Sequence, residues 1–147
     1  WNRPDATEEA IKDGWFYSGD AGFFDDEGYL YIHDRVKDMI VSGGENIYPA
    51  EVENALMSHP EIADAAVIGV PDDKWGESVK GFVVLQPDSS LDETEIISYT
   101  RTQIAGYKCP KTINFIEALP RNPSGKILRR ELREPFWEGK DRMVSGN

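Results

Sequence analysis

Two apolar segments near the middle of the chain constrain its fold more than any other feature. Residues 62–70 and 79–85 are rich in small and branched apolar side chains, and a polar loop containing proline and glycine separates them. Apolar runs this short, bounded by turn residues, are typical of buried strands rather than buried helices. The two segments therefore predict the centre of a β-sheet, and the remaining chain must supply the layers that cover it.

The segments on either side indicate further helices and one more strand. Pro49 suits the first turn of a helix with an apolar stripe, and Asp92 and Glu95 form a capping-box pattern before another helix. Residues 112–117 indicate a third strand, and the basic segment that follows residue 126 has helical spacing. The order hairpin, helix, strand, strand, helix, strand, helix predicts an α+β fold, a small two-layer sandwich of a three-stranded sheet with helices.

Two β-hairpins are predicted ahead of this unit. Residues 22–33 alternate aromatic and aliphatic positions around an Asp-Glu-Gly turn, and residues 39–48 form a second ribbon around Ser-Gly-Gly-Glu. The highly charged residues 34–38 between the hairpins are the candidate domain boundary. At the other end, residues 139–147 are predicted to be a frayed tail.

Composition excludes several classes of function. The chain has 147 residues, of which 39% are hydrophobic and 29% charged, and its net charge of −11 argues against a nucleic-acid binder. No apolar run is long enough to predict a transmembrane segment. Cys109 is the only cysteine, which fits a reducing, cytoplasmic setting. His33 and His59 are isolated, so no metal site is predicted in this chain.

Lys126 is the most informative residue for chemistry. It follows a loop that contains Pro120, Pro123 and Gly125, and it opens the basic segment. A lysine at a loop-to-helix junction is a point cation that can reach an oxyanion. The loop is not a Walker phosphate loop, because Ile127 replaces the Ser or Thr that would bind magnesium. Taken alone, the pattern favours an ordinary proline-rich turn before a solvated helix.

Four motifs occur together in a fixed order, at residues 17–20, 34–38, 42–53 and 120–126. With this order and spacing, the chain resembles the C-terminal end of the adenylate-forming enzymes, which include acyl-CoA synthetases, aromatic CoA ligases, luciferases and peptide-synthetase adenylation domains. The resemblance covers residues 1–133. The residues of these motifs are most similar to those of fatty acyl-CoA ligases.

The resemblance implies a two-step reaction carried out by two domains. A carboxylic acid attacks the α-phosphate of ATP to give an acyl-adenylate and pyrophosphate, and the thiol of CoA then displaces AMP. Residues 1–36 would be the end of a large N-terminal AMP-binding domain, and residues 37–138 a mobile C-terminal domain that adopts one pose for each step. The expected partners are that N-terminal domain, the acid and CoA, and Mg²⁺ is expected to be bound mainly by the N-terminal domain. We therefore expect a fragment, beginning mid-structure at Trp1, that is inactive alone.

The resemblance also assigns roles to single residues. Lys126 would be the catalytic lysine that bridges the substrate carboxylate and the phosphate oxygens during adenylation. Asp20 would bind the ribose hydroxyls of ATP, and Arg35 would make a second nucleotide contact. Lys37 would mark the hinge between the domains. An ordinary turn for Asp20, or a surface ion pair of Arg35 with a neighbouring aspartate, stays an alternative.

A second group is implied to bind CoA. Gly43 and Gly44 form the tip of the ribbon that enters the active site in the thioester pose, where the lack of a side chain leaves room for pantetheine. A further aromatic and basic set could contact the CoA nucleotide: Trp75, Tyr107, Lys108 and Lys111. Cys109 stands where some relatives carry arginine. Ordinary surface packing is the alternative for this set.

Two alternative functions stay open at this point. The acyl group could be transferred to a carrier protein instead of CoA. The chain could also be a stand-alone, non-catalytic binding module with the same fold.

Overall fold

A computed structural model describes residues 2–140 of the chain. The helices are α1 Pro4–Ala10, α2 Pro49–Met57, α3 Glu93–Gln103 and α4 Arg129–Trp137. The strands are β1 Ile11–Lys12, β2 Trp15–Phe16, β3 Asp20–Phe24, β4 Leu30–Arg35, β5 Ile40–Ser42, β6 Glu45–Ile47, β7 Ile62–Asp72, β8 Gly76–Leu85 and β9 Thr112–Phe115. Of the predicted frayed tail, residues 141–147 lie outside the described residues.

The two apolar segments form the centre of the sheet, as predicted. Strands β7 and β8 pair antiparallel along their whole length. The other edge of β8 carries β9, which is parallel, and β5, which joins through Ser42 opposite Gly76. Because β6 pairs with β5, the sheet has five strands in the order β6-β5-β8-β7, with β9 also paired to β8. The predicted α+β class is confirmed.

The sheet is larger than the three strands expected from sequence. The difference lies in the ribbon β5–β6, which was predicted to be a separate hairpin. Its strands are only three residues long, so the apolar pattern carries little information about a partner. In the structure the Gly43 amide donates to the carbonyl of Trp75 at 2.8 Å, which extends the pairing between Ser42 and Gly76 and fixes the ribbon to β8.

Helices cover both faces of the sheet. On one face, Val52 and Leu56 of α2 and Ile96 of α3 pack with Val67 of β7. The opposite face is covered by a second apolar cluster formed by Ala66, Ile68, Phe82 and Leu119 with Leu132 and Phe136 of α4. Successive residues of a strand point to opposite faces, so a strand covered on both sides is apolar at consecutive positions. The helix α4 thus adds a layer to the predicted two-layer sandwich and explains the continuous apolar runs.

Polar contacts define the starts of the helices. The predicted capping box is present, because Asp92 accepts from the Glu95 amide at 2.8 Å and Glu95 accepts from the Asp92 amide at 3.0 Å. Helix α2 has no cap from its own N-cap side chain. Instead, the carboxylate of Asp34, at the end of β4, accepts a hydrogen bond from the Ala50 amide at 2.8 Å. This contact joins the first hairpin to the helix layer.

The segment before residue 40 is built differently from the sheet. None of residues 2–39 is buried. Strands β3 and β4 form an antiparallel hairpin in which Asp20 lies opposite Arg35. Ten large apolar side chains of this segment are exposed: Ile11, Trp15, Phe16, Tyr17, Phe23, Phe24, Tyr29, Leu30, Tyr31 and Ile32. No helix between residues 2 and 140 is long and apolar enough to cross a membrane.

Candidate functional site

Lys126 lies on a loop that is closed by its own hydrogen bonds. The side-chain oxygen of Asn122 accepts from the amides of Ser124 and Lys126 at 3.1 and 2.9 Å, and the Asn122 amide donates to the Lys126 carbonyl at 2.9 Å. Gly125 has a φ of +84°, in the left-handed region that glycine adopts without strain. The loop is therefore ordered up to the exposed Lys126 side chain, which is free to reach an anion outside the domain.

The two predicted nucleotide-binding residues are brought together by the first hairpin. Arg35 Nε lies 2.8 Å from Asp20 Oδ1. The guanidinium also donates to the carbonyl of Ser18 at 3.4 Å. The pair lines an open cleft of about 740 Å³ together with Tyr17 and Lys37. The ion pair of Arg35 is thus with the other predicted nucleotide residue and not with either neighbouring aspartate.

Lys37, the predicted hinge residue, lies in a short 3-10 turn between two separately held positions. Before it, Arg35 belongs to the exposed hairpin. After it, Asp38 is held by two arginines of α4, at 2.9 Å from Arg133 and 3.5 Å from Arg129. Between these two positions, the Met39 amide donates to the carbonyls of Arg35 and Val36 at 3.2 and 3.3 Å, and Lys37 Nζ lies 3.8 Å from Glu9 Oε1.

The glycine tip of the second ribbon lies against Trp75. Gly43 and Gly44 have φ of +61° and +87°, which a tight hairpin turn with two left-handed residues requires. A Cβ at Gly43 would lie 2.7 Å from the Trp75 ring, whereas a Cβ at Gly44 would meet no atom within 4 Å. Gly43 is therefore required by packing as well as by the turn, and Gly44 leaves an open surface.

Two lysines flank the half-exposed ring of Trp75. Lys74 Nζ lies 4.6 Å and Lys111 Nζ 5.6 Å from the ring centroid. Lys111 also pairs with Asp72 at 3.1 Å. That hydrogen bond lowers the pKa of the Asp72 carboxyl, with a smaller contribution from the Trp75 amide. An aromatic ring beside two cations, on an exposed surface, has the chemistry needed to bind a base and its phosphates.

Tyr107 and Lys108 lie on a separate 3-10 turn. Both oxygens of Glu51 accept from Lys108 Nζ, at 2.7 and 2.8 Å, and this hydrogen bond raises the pKa of Lys108. Lys108 is therefore already neutralised by α2, whereas the Tyr107 ring is exposed. Cys109, which follows, is buried, and burial raises the pKa of its thiol. Lys111 is likewise paired with Asp72, but the site around Trp75 has Lys74 as a second lysine beside its ring, which makes it the better anion site.

Some residues of these sites were not singled out from the sequence. Lys74 is adjacent to Trp75 in the chain, and that adjacency was a usable signal. Asn122 and Asp34 act through contacts with backbone amides, and nothing in their local sequence shows which amide each one meets. Across residues 2–140, no group of three or more His, Cys, Asp or Glu side chains could hold a metal ion.

The fold and the motifs that carry these residues agree with the C-terminal domain of adenylate-forming enzymes. The family model of the AMP-binding enzyme C-terminal domain matches residues 51–126, which is more than half of the chain. The chain belongs to this family, as the motifs predicted.

The relatives of this chain include fatty acid ligases. The chain is 49% identical over 145 residues to the fatty acid–[acyl-carrier-protein] ligase ScoC of Streptomyces coeruleorubidus, covering 99% of this chain and 28% of that protein. It is 53% identical over 136 residues to a long-chain-fatty-acid–CoA ligase of Mycobacterium tuberculosis, covering 92% of this chain and 27% of that protein. The chain thus spans little more than a quarter of the relatives that it matches.

Solved structures agree with this family. The o-succinylbenzoate CoA synthetase of Bacillus subtilis, in complex with its acyl-adenylate intermediate, matches with a TM-score of 0.83 and 45% identity, over 89% of this chain and 27% of that one. ATP-bound MatB from Rhodopseudomonas palustris matches with a TM-score of 0.85 and 37% identity, over 92% of this chain and 27% of that one.

Proposed function

We propose that this chain is the C-terminal lid of an ATP-dependent acyl-CoA synthetase, which converts a carboxylic acid, ATP and CoA into acyl-CoA, AMP and pyrophosphate. The observation that carries this proposal is the exposed Lys126 at the end of an ordered loop, in a chain that belongs to the AMP-binding enzyme C-terminal domain family. The lid supplies groups to both steps, and the acid-binding pocket belongs to the large domain.

In the first step, Lys126 offsets the electrostatic repulsion between the two reacting anions. The carboxylate of the acid and the α-phosphate of ATP repel each other as they approach, and negative charge develops on the phosphate oxygens in the transition state. A positioned ammonium group in a site that excludes water offsets this repulsion and is worth several kcal/mol. Asp20 accepts hydrogen bonds from the ribose hydroxyls, and Arg35, paired with Asp20, holds the nucleotide beside it.

In the second step, the domain turns at Lys37 and presents the ribbon β5–β6. Gly43 and Gly44 carry no side chain, so pantetheine passes beside the tip. Trp75 stacks on the adenine of CoA, and Lys74 and Lys111 contact its phosphates, with Tyr107 and Lys108 at the edge of the site. Mg²⁺ accompanies the ATP. We assign its ligands to the phosphates and the large domain.

The exposed aromatic surface of residues 11–32 supports a division of the chain at the hinge. Isolated exposed apolar residues are ordinary, but a concentration of this kind marks a surface that another part of a protein covers. We assign residues 1–36 to the large N-terminal domain, which covers this surface, and residues 37–138 to the lid. The free thiol of Cys109 agrees with a cytoplasmic protein.

A carrier protein is the second candidate for the acyl acceptor. It is favoured by the similarity over 99% of the chain to a fatty acid–[acyl-carrier-protein] ligase. CoA is favoured by Trp75 with its two lysines, because a carrier protein presents pantetheine without an adenine base. Loss of thioester formation with CoA in Trp75→Ala, with the adenylation rate unchanged, supports CoA.

The test uses a chimera in which this chain replaces the matching C-terminal quarter of the Mycobacterium tuberculosis ligase. Lys126→Ala is expected to lower the adenylation rate at least about a hundredfold, equivalent to about 2.7 kcal/mol. Thioester formation from supplied acyl-adenylate should stay nearly normal, because Lys126 has turned away in that step. Arg130→Ala, which removes an exposed cation four residues later, is the matched control. Equal damage to both steps in Lys126→Ala would contradict the assignment.

A further inference from the structure

Arg121 links the tip of the lysine loop to the central sheet. Its Nη1 donates to the carbonyl of Gly125 at 2.6 Å, immediately before Lys126. Its Nη2 donates to Asp64 Oδ2, also at 2.6 Å, and Asp64 lies in β7. In the chain, Asp64 lies 57 residues from Arg121 and Gly125 lies 4 residues from it. One guanidinium therefore spans from the core strand to the peptide that carries the lysine.

The other hydrogen bonds of the tip stay within the loop. The Leu128 amide donates to the Pro120 carbonyl at 2.8 Å, and Arg121 pairs with Ile127 as an isolated bridge. Further out, the Asn122 side chain holds the amides of the tip, as described above. These bonds make the loop a stiff unit, whose two flanks rest on the sheet because Leu119 is buried in the second apolar cluster and Ile127 packs against it. Arg121 adds a polar contact with Asp64 outside the loop and restrains the tip beyond these apolar flanks.

We propose that the contacts Asp64–Arg121–Gly125, here called the tether, position Lys126 for adenylation. Arg121 and Asp64 are positioning residues, since they act on the reaction through the direction of the Lys126 side chain. This inference rests on the proposed function of Lys126. It assigns a role in the reaction to Asp64, which lies in the sheet and far from Lys126 in sequence.

The chemistry of the tether suits positioning better than stabilisation. Side chains of Arg121 and Asp64 are 40% and 29% exposed, so water screens their charges and the pair adds little to global stability. The guanidinium, however, is planar and holds its two acceptors in a fixed relative direction, which the single nitrogen of a lysine would not do. Misplacement of a reacting group by about 1 Å can cost about a hundredfold in rate.

Asp64→Asn tests the tether in the chimera described above. Asp64 Oδ1 accepts from the Ala65 amide at 3.0 Å, while Oδ2 accepts from Arg121. An asparagine has the same shape but one oxygen, so it cannot serve both donors. We expect the adenylation rate to fall about tenfold and thioester formation from supplied acyl-adenylate to stay within about twofold. Asp64→Glu, which keeps the charge, should recover most of the loss.

The dependence on Lys126 separates positioning from a general structural role. Combined with Lys126→Ala, the Asp64→Asn change should cause no further loss of adenylation, because the group that it positions is gone. Losses that add would show that Asp64 acts by another route and would overturn the tether. Normal adenylation by Asp64→Asn, while Lys126→Ala is impaired, would also overturn the tether but leave the proposed function intact. A fully active Lys126→Ala chimera would contradict both the tether and the proposed function of Lys126.

A measurement on the 147-residue chain does not depend on activity. The backbone order parameter at the Lys126 amide should fall in Asp64→Asn, since the loop can then pivot on the sheet. The order parameter at Ile68, in the same strand β7 but away from the loop, should not change. An unchanged value at Lys126 would contradict the restraint itself, whatever the reaction.

Discussion

The two ends of this chain use apolar residues in opposite ways. In the hairpin region, residues 2–39, no side chain is buried and ten large apolar side chains face solvent. In the sheet region, residues 40–140, apolar side chains fill two clusters on the two faces of one sheet. The sheet region therefore carries the burial that stabilises the chain, and the hairpin region has apolar surface that its own fold does not cover.

The largest test of this difference compares core and surface truncations. Leu56 of α2 is fully buried against the sheet. Leu56→Ala should lower the unfolding free energy by about 2–5 kcal/mol, because the change leaves a cavity. Phe24, which is 70% exposed in the hairpin, should cost less than about 0.5 kcal/mol as Phe24→Ala despite losing a larger side chain. Urea unfolding of the 147-residue chain measures both. A loss at Phe24 as large as that at Leu56 would contradict the comparison.

Local sequence signals predicted the parts of the fold that depend on local chemistry. The central strands, the capping box at Asp92 and the helix start at Pro49 were all predicted, because each is determined by neighbouring residues. Two features were missed. The ribbon β5–β6 joins the sheet through one pair of residues, and α4 covers the second face. Both depend on contacts between distant segments.

The candidate site shows the same division. Ordered motifs led to the prediction of roles for Lys126, Asp20 and Arg35, and the register of one hairpin explains why Asp20 and Arg35 lie together. The tether was not predictable, since its partners Arg121 and Asp64 lie 57 residues apart and nothing in the sequence around either one indicates the other. Sequence patterns thus singled out candidate reacting groups, but not the contacts that hold them in place.

Close packing at the ribbon tip gives a second, smaller test of the sheet region. Gly43→Ala forces a Cβ towards the Trp75 ring at a left-handed backbone position, and about 2 kcal/mol of unfolding free energy should be lost. Gly44→Ala has the same kind of backbone strain but open space around the Cβ, so about 1 kcal/mol is expected. Urea unfolding of the two variants in parallel gives the difference. Equal losses would mean that the Trp75 contact does not constrain the tip.

Asp34 tests whether the two regions are coupled. Its carboxylate caps α2 from the hairpin region, so Asp34→Ala should lower the unfolding free energy by about 1 kcal/mol. Asp34→Asn keeps an acceptor and should lose less. The control is Asp26→Ala, which changes an exposed aspartate in the turn of the same hairpin. If Asp34→Ala and Asp26→Ala unfold alike, the hairpin region contributes nothing to α2 and the two regions are independent.

The smallest expected effect concerns the buried charge of Lys80 in the sheet region. Lys80 is 8% exposed, and its Nζ donates to the Thr112 hydroxyl at 3.0 Å. Burial lowers the pKa of Lys80 below its ordinary 10.5, and the charge of Glu93 offsets part of that shift. The unfolded chain therefore binds this proton more tightly than the folded chain does. Stability must rise with pH in the window between the lowered pKa and 10.5.

Lys80→Met keeps the apolar stem and removes both the charge and the hydrogen bond. The net change near neutral pH should be less than about 1 kcal/mol, because relief of the buried charge offsets the lost bond. The dependence on pH is the test: as pH rises towards 10.5, the unfolding free energy of the wild type should rise relative to that of the variant.

For Lys108→Met, the unfolding free energy of the wild type should instead fall relative to that of the variant as pH rises. Glu51 raises the pKa of Lys108, so the stability that it contributes is present below 10.5 and is lost as pH rises through the raised value. Urea unfolding of both variants over a series of pH values measures the two trends. Trends of the same sign would contradict this account.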